Sequence, residues 1–452
     1  MVTEPEVAPT AAGTDAEGGA RRQSVDPPVA PEPTRPAPDP TAAGRARRAV
    51  HRLARPFGLA VAVTVVLRVI TDLVALASEY GVDFVHKVGA DHHLPIAVWN
   101  RWDTGYYIVI AEHGYAPSHG AKGLTTQGAG AHIAFGPLYP LAIRVVHDVL
   151  GTGWDTSGQL VSAVALVVAL TGLFLLTGLD GTTSRAGTAV FLVAAFPTAF
   201  FLLAGYPEAL ALALGVWAFV AIRRRWWLAA GLLAAGAFLT KYYLLLLVVP
   251  LLMEVWRVRR VPDTAADEDG ASDAPARFRR IDRETVVHGA LAAGPVLLAL
   301  IAWAGYSDHL DGTPLGFARA QVAWDRSFAW PWTLYTHTAS DMAHLRFLDT
   351  STASFMELFD VVTVVALAAM AVFAWFRLRR SYAVLLALGW CVFSFETILM
   401  GETREVLVLF PFFIGLAALV EGHPWRERIL LALFLPSAYF LIERFVNGRF
   451  AG

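Results

Sequence analysis

Long apolar runs separated by short arginine clusters form the dominant pattern of this chain. Runs of about 18 or more apolar residues are long enough to cross the hydrocarbon core as helices. Between 227 and 256 the apolar pattern is interrupted at Thr240 and Lys241, and we expect two short or re-entrant passes there, a kind of segment that often lines a site. The other predicted spans, which bring the total to about eleven, are about 57–77, 158–179, 186–204, 208–222, 286–306, 358–376, 382–400, 406–420 and 429–446.

The arginine clusters predict how these spans are oriented. Positive charge beside a span marks its cytoplasmic end, so the N-terminus is expected inside and the C-terminus outside. Two long segments, about 78–155 and 307–356, then lie on the outer face, and an acidic loop at about 257–285 lies in the cytoplasm. Residues 1–55 are rich in Pro and Ala and are expected to be a disordered cytoplasmic tail, which leaves 56–452 as the membrane domain.

The amino-acid composition excludes other classes of protein. The 452 residues are 56% hydrophobic and 16% charged, whereas soluble domains carry about 25% charged residues. A net charge of −2 without a basic field gives no reason to expect a nucleic acid partner. The single cysteine, Cys391, allows no intrachain disulfide. We therefore predict an all-α polytopic protein of the cell (plasma) membrane, with membrane lipids around it.

The segment 101–115, in the first outer loop, is the most promising place for chemistry. Its spacing predicts an amphipathic interfacial helix that ends at Gly114. Asp103 would begin that helix, where the helix dipole favours an ionised carboxylate. An ionised carboxylate is what a general base, or an acid that orients a hydroxyl, must be. Asp103 could equally be an N-cap, and spacing alone leaves both interpretations open.

Histidines are numerous in the same outer loop. His132 precedes a proline-bounded turn, Phe135–Pro140, and could serve catalysis or structure. No histidine pair has the i, i+4 spacing with a carboxylate partner that a metal site typically shows, so we predict neither a metal nor another cofactor. The other histidines near this turn are His86, His92, His93, His113, His119 and His147.

Three charged residues border or interrupt predicted spans, where charge is costly and tends to be functional. Glu208 begins a span and could be functional or simply exposed. Lys241 lies between two apolar runs and could meet a phosphate or snorkel to the surface. Arg404 could bind a phosphate in bidentate fashion or pair with Glu402 or Glu405. Because neither Lys241 nor Arg404 has an obvious buried carboxylate partner in the sequence, we expect both to bind phosphate.

Six segments, in this order along the chain, resemble the PIG-V family of lipid-linked mannosyltransferases and its bacterial relatives. They are RWDTGYYIVIAEHGY at 101–115, AFGPLYPLAIRV at 134–145, FPTAFFLLAGYPEALAL at 196–212, GLLAAGAFLTK at 231–241, DGTPLGFARAQVAWDR at 311–326 and TREVLVLFP at 403–411. The chain departs from the family pattern at Phe135-Gly136, where two aromatics are usual, at Lys241, where Arg is usual, and before the LFP motif, where Pro-Arg-Tyr is expected.

The resemblance implies a GT-C-like bundle that transfers a sugar, mannose in the family, from a polyprenyl-phosphate donor to a lipid or glycan acceptor on the outer face, with inversion. It implies that Asp103 is the base or the acceptor-orienting acid and that Arg404 occupies a basic position of the family. The residues expected to bind substrate are Arg101, Trp102, Tyr107, His132, Glu208, Lys241 and Arg404.

A membrane transporter or flippase is the main alternative. It would move a lipid-linked or small solute through the bundle and use Lys241 and Glu208 as gates. The two long outer segments, rich in aromatic residues, favour the transferase, because a transporter does not need them.

Overall fold

A computed structural model describes residues 42–78, 98–115, 131–259, 282–344 and 353–451. Most of the expected N-terminal tail and most of the expected cytoplasmic loop lie outside these ranges, as do parts of both outer segments. The chain divides into two units, Met1–Val50 and His51–Gly452, and the site described below belongs to the second.

Within the described ranges the regular structure is helical, and the one β-bridge is an isolated contact between Phe328 and Glu396. Single-turn helices cover Gly316–Arg319 and Glu402–Glu405, and 3-10 turns cover Ala131–Ala134, Ala199–Leu202, Tyr242–Leu247, Ala320–Trp324 and Val406–Val408. The longer helices are α1 Ala42–Ala77, α2 Asp103–His113, α3 Leu138–Leu150, α4 Trp154–Asp180, α5 Thr183–Ala195, α6 Glu208–Arg223, α7 Trp227–Thr240, α8 Val248–Arg259, α9 Arg283–Asp311, α10 Pro331–Ala343, α11 Ala353–Arg377, α12 Arg380–Ser394, α13 Pro411–Val420 and α14 Pro424–Val446.

Five of these helices, α1, α4, α9, α11 and α14, are long and apolar enough to cross a membrane. The single turn that begins at Glu402 and helix α13 form a pair bent by 88°, which would make a sixth span. The predicted count of about eleven is therefore not confirmed and stays a prediction. Its shorter passes fall on helices α5, α6, α7, α8 and α12, which are shorter than the five long helices; of these, α7 and α12 are predominantly apolar.

The interruption expected near Lys241 is confirmed. Helix α7 ends at Thr240, and Lys241 has an extended backbone with φ −139° and ψ 115°. A 3-10 turn follows and leads into α8. Because the extended residue lies between two helical segments, its side chain emerges at a break rather than along a helix face.

Apolar side chains cover the outside of the bundle as well as its core. Helix α4 packs on α6, α6 on α7, and α7 on α9, so these four helices form a continuous packed row. Large apolar side chains on the outer helices remain exposed, among them Val65, Ile301 and Phe376. A bundle that is apolar all round is typical of a membrane environment, and the chain is a multi-pass membrane protein.

Charged side chains gather at the two ends of helix α6. Its first residue, Glu208, belongs to the cluster described in the next subsection. Its last residue, Arg223, donates two hydrogen bonds of 2.8 Å to the Asp180 carboxylate, which also accepts from Arg379 at 3.2 Å. A 16-residue helix is about 24 Å long, so the two clusters lie far apart along the bundle.

Candidate active site

A cavity of about 690 Å³ opens among elements that the sequence predicts to lie on the outer face. Its size is within the range of about 300 to 1,000 Å³ that is usual for small-molecule sites. Aromatic rings and six charged side chains share its wall. The charged residues are Asp103, Lys241, Arg326, Glu396, Arg404 and Glu405, and the aromatic residues are Trp102, Tyr107, Phe135, Tyr242, Tyr243, Phe317, Trp324, Phe328, Phe393, Phe395 and Phe450.

Helix α2 fixes the position of Asp103. The helix forms where the 101–115 pattern predicted it, and it ends at Gly114, whose φ of +76° suits glycine and whose N–H donates to the Ile110 carbonyl at 2.8 Å. Tyr107 and Ile110 are among the residues of its buried face. Asp103 is the first helical residue, and no side chain caps the helix at the preceding residue. The capping interpretation of Asp103 therefore finds no support in the contacts of its side chain.

The carboxylate of Asp103 is bound by Arg404, although 300 residues separate the two in sequence. Arg404 Nη1 donates to Asp103 Oδ2 at 2.9 Å. Arg404 is held by the single turn that begins at Glu402, and Asp360 of helix α11 anchors that turn. Asp360 is fully buried and accepts from the Thr403 N–H and hydroxyl, each at 2.8 Å, and from the Gly401 N–H at 2.9 Å.

Lys241 reaches the same cluster from the break after helix α7. Its Nζ donates to both oxygens of Glu405, at 2.7 and 2.6 Å, and lies 3.0 Å from Glu208 Oε1. The two contacts with Glu405 are hydrogen bonds, and the contact with Glu208 is an ion pair. Lys241 is therefore engaged with carboxylates, and only 9% of its side chain is exposed.

Glu208 does not line the cavity. It is completely buried at the start of helix α6, and its Oε1 is 3.3 Å from Arg404 Nε. The alternative of a simply exposed acid is wrong for this residue. With Asp103 and Glu405 it sets three carboxylates against the two cations Lys241 and Arg404, a formal excess of one negative charge.

The expectation that Lys241 and Arg404 have no carboxylate partner is thus wrong. Their partners come from helix α2, helix α6 and the turn after 401, which are far apart in sequence, so no local pattern could reveal them. Of the two partners considered for Arg404, Glu405 is in contact, with 3.4 Å between Arg404 Nη2 and Glu405 Oε1.

A second group, Arg326 with Glu396 and Glu402, was not predicted as part of the site. Arg326 Nε lies 3.4 Å from Glu396 Oε2, and its Nη2 lies 3.4 Å from Glu402 Oε1 and donates to the Met400 carbonyl. The Trp-rich stretch that contains Arg326 was a signal for this part of the wall, but not for the residue itself.

Of the other residues expected to bind substrate, some line the cavity and some do not. Trp102 and Tyr107 line the cavity, and burial raises the pKa of Tyr107 well above its usual value, so its hydroxyl remains a proton donor. Arg101 does not line the cavity; its Nη2 donates to the Val446 carbonyl at 3.3 Å. His132 also lies outside the wall, with its ring edge-on to Tyr106 at 5.6 Å.

The turn that contains Gly136 precedes helix α3 and lies against the end of helix α7. A Cβ added at Gly136 would lie 2.6 Å from the Thr240 carbonyl oxygen and closer still to that of Leu239. Glycine therefore lets the turn pack directly on the end of helix α7. A larger residue at this position would push on the backbone that leads into Lys241.

Among the described residues, no three His, Cys, Asp or Glu side chains form a group that could hold a metal ion. Of the histidines noted in the sequence, His86, His92, His93 and His119 lie outside the described ranges.

Comparisons with known proteins give one weak likeness. No family model matches the chain, and no curated protein matches it. Among solved structures it is similar to the oligosaccharyltransferase of Archaeoglobus fulgidus in its apo form, with 12% identity and a TM-score of 0.40 over 86% of this chain. The same values hold for that organism's AglB oligosaccharyltransferase in complex with an inhibitory peptide and a dolichol-phosphate. The chain spans 56% of the length of those proteins. At this level the likeness gives neither a fold assignment nor an activity.

Proposed function

We propose that this chain is an integral membrane glycosyltransferase of the GT-C type. It transfers a sugar, mannose by its resemblance to PIG-V proteins, from a polyprenyl-phosphate donor to a lipid or glycan acceptor on the outer face, with inversion. The observation that carries the proposal is the meeting of Asp103 and Arg404 at 2.9 Å in the wall of a 690 Å³ cavity.

Asp103 has the position of a base or an acceptor-orienting acid. The ion pair with Arg404 uses Oδ2, and within the described part of the chain Oδ1 has no hydrogen-bond partner. An acceptor hydroxyl that donates to Oδ1 would be held by an oriented carboxylate. In the transfer step the acceptor oxygen bonds to the anomeric carbon, its proton passes to Asp103, and the bond from that carbon to the phosphate oxygen breaks. The polyprenyl phosphate leaves with the bonding electrons.

Stabilisation of the leaving phosphate is assigned to Arg404 and Arg326. A guanidinium has five N–H donors, and each of these arginines uses only part of them in the contacts described above. Lys241 donates to both oxygens of Glu405 and is ion-paired with Glu208, so we assign it to holding the cluster together. Cationic donors that face the position where charge develops supply the main electrostatic term in such a transfer.

The aromatic part of the wall suits a substrate that is half sugar and half lipid. Phe317, Phe393 and Phe395 supply apolar surface next to the charged cluster. The isoprenoid part of the donor requires such surface, while its phosphate and sugar require the polar part.

The test is transfer from radiolabelled polyprenyl-phosphate mannose by purified protein in nanodiscs, with a membrane lipid extract as acceptor. Asp103→Asn should lower turnover by about 100-fold or more while its melting temperature stays near that of the parent, because Asn can still accept from Arg404. Asp308→Asn, at an exposed position of helix α9 outside the cavity, is the matched control and should keep parental turnover.

Two outcomes would refute the proposal. Full turnover in Asp103→Asn would remove Asp103 from the chemistry. Movement of the labelled donor across a vesicle membrane without any transfer product would identify the protein as a transporter.

A further inference from the structure

Trp102 combines three features that its neighbours do not share. Its backbone has φ 54° and ψ −120°, a region that only glycine adopts readily. Its side chain is 50% exposed although it is a large aromatic group. It also lines the cavity and directly precedes Asp103. A strained backbone persists only where the surrounding structure holds it, and such residues concentrate at functional sites.

The surroundings of Trp102 show what holds it. Helix α2 begins at the next residue, and the neighbouring Arg101 carbonyl accepts from the Tyr206 hydroxyl at 2.9 Å. Phe450 packs edge-on against the indole, with ring centroids 6.1 Å apart and planes at 88°. The position of Phe450 is fixed by a hydrogen bond, because its carbonyl accepts from Nε of the buried Arg444 at 3.0 Å. An edge-on neighbour braces the ring and does not cover its two faces by stacking.

A braced indole with exposed surface, one residue from a carboxylate, matches the chemistry of a pyranose ring. The C–H bonds on one side of the sugar carry partial positive charge and meet the negative face of the aromatic ring. The hydroxyls at the edge of the same sugar need an acceptor, and Asp103 supplies one. A peptide or a bare isoprenoid chain does not require both groups together.

We propose that Trp102 is a stacking platform for a pyranose ring, and that its strained backbone is retained because it presents the indole to the cavity beside Asp103. This rests on the proposed function for its biological setting, but not for its test. The ring can belong to the acceptor or to the donor, and the experiment separates these two sources.

Two small probes divide the site into its parts. Octyl α-D-mannopyranoside carries a pyranose and no phosphate, and citronellyl phosphate carries a phosphate and no sugar. Octyl glycerol ether, which has hydroxyls but no ring, is the control ligand. Binding is measured by saturation-transfer NMR on protein in nanodiscs free of glycoside detergent, so no catalytic turnover is required.

Trp102→Ala should weaken octyl mannoside binding by roughly 3- to 10-fold, the usual range for one aromatic contact, and leave citronellyl phosphate binding unchanged. Trp102→Phe should restore most of the affinity. Trp102→Gly should lose affinity as Trp102→Ala does, yet melt at or above the parental temperature, because glycine relieves the backbone strain. Trp425→Ala, which removes a 57% exposed tryptophan outside the cavity, should bind both probes like the parent.

Unchanged mannoside binding in both Trp102→Ala and Trp102→Gly would overturn the proposal and leave Trp102 as a membrane-interface residue. Equal binding of octyl glycerol ether and octyl mannoside would overturn it as well. If the stacking proposal holds, displacement of the mannoside by farnesyl-phosphoryl mannose assigns the stacked pyranose to the donor. Simultaneous binding of the two assigns it to the acceptor. Loss of transfer with intact mannoside binding would count against the proposed function alone.

Discussion

The contacts of Lys241 lead to an experiment that separates its structural role from phosphate binding. Its ammonium group lies 2.6 to 3.0 Å from oxygens of Glu405 and Glu208, and the three side chains are 9%, 8% and 0% exposed. With an effective dielectric constant of about 20, Coulomb's law gives an attraction of roughly 6 kcal/mol between the ammonium and each carboxylate. Desolvation of buried ions offsets most of this gain. The stability lost when one partner is removed is therefore the quantity that tests the role of Lys241.

Lys241→Met leaves Arg404 alone with three carboxylates, so the formal charge of the cluster falls from −1 to −2. Breaking a buried ion pair in this way typically costs about 3 to 5 kcal/mol. Adding Glu405→Gln restores the parental charge, and the double variant should recover about 1 to 3 kcal/mol of that loss, the usual size of a coupling between contacting residues. Lys241→Arg keeps the charge and serves as the control.

The assay is thermal unfolding in detergent, followed by a thiol-reactive dye at the single cysteine, Cys391. The melting temperature should be highest for the parent, lower for Lys241→Arg and the double variant, and lowest for Lys241→Met. A parental melting temperature for Lys241→Met would show that Lys241 does not neutralise buried carboxylates. Purely additive effects in the double variant would show that Lys241 and Glu405 are not coupled.

Three further predictions test the scaffold. Gly136→Ala should destabilise the protein by about 1 to 3 kcal/mol and lower donor binding, because a Cβ would collide with two carbonyls at the end of helix α7; parental melting and binding would contradict this. Asp360→Asn should destabilise by about 1 to 3 kcal/mol, since an amide cannot accept at both former oxygens, and a variant with parental turnover and melting temperature would disprove the anchoring role. In a Cys391→Ser background, an impermeant maleimide added to intact cells should label Thr336→Cys but not Thr183→Cys, both at exposed positions, and the reverse result would invert the predicted orientation.

Much of the helical scaffold follows from the sequence, because local composition governs where helices form in an apolar chain. Helix α6 begins at Glu208, helix α2 ends at Gly114 and the break falls at Lys241, as the pattern predicted. Each of these features depends on residues only a few positions apart. The length and number of true spans depend instead on how short helices pack, and there the prediction of about eleven is not confirmed.

The candidate site could be predicted only in part. Lys241 and Arg404 were singled out because charge is rare beside apolar runs, and Asp103 because it begins the 101–115 helix; all three line one cavity. Arg326 and Asp360 were missed, although Asp360 lies inside the predicted span at about 358–376, where charge is costly. His132 and Arg101 were selected on proximity in sequence, yet their side chains do not line the cavity.

The sequence by itself thus determined the membrane class, the helical segments and the residue types available for chemistry, because these depend on composition and short-range periodicity. Only the tertiary structure decided which charges neutralise each other. Arg404 meets Asp103 across 301 positions, and Lys241 meets Glu405 across 164. Coulomb energy falls with distance in space and takes no account of distance along the chain, so the division of labour between phosphate-binding and structural cations emerges only after the helices have packed.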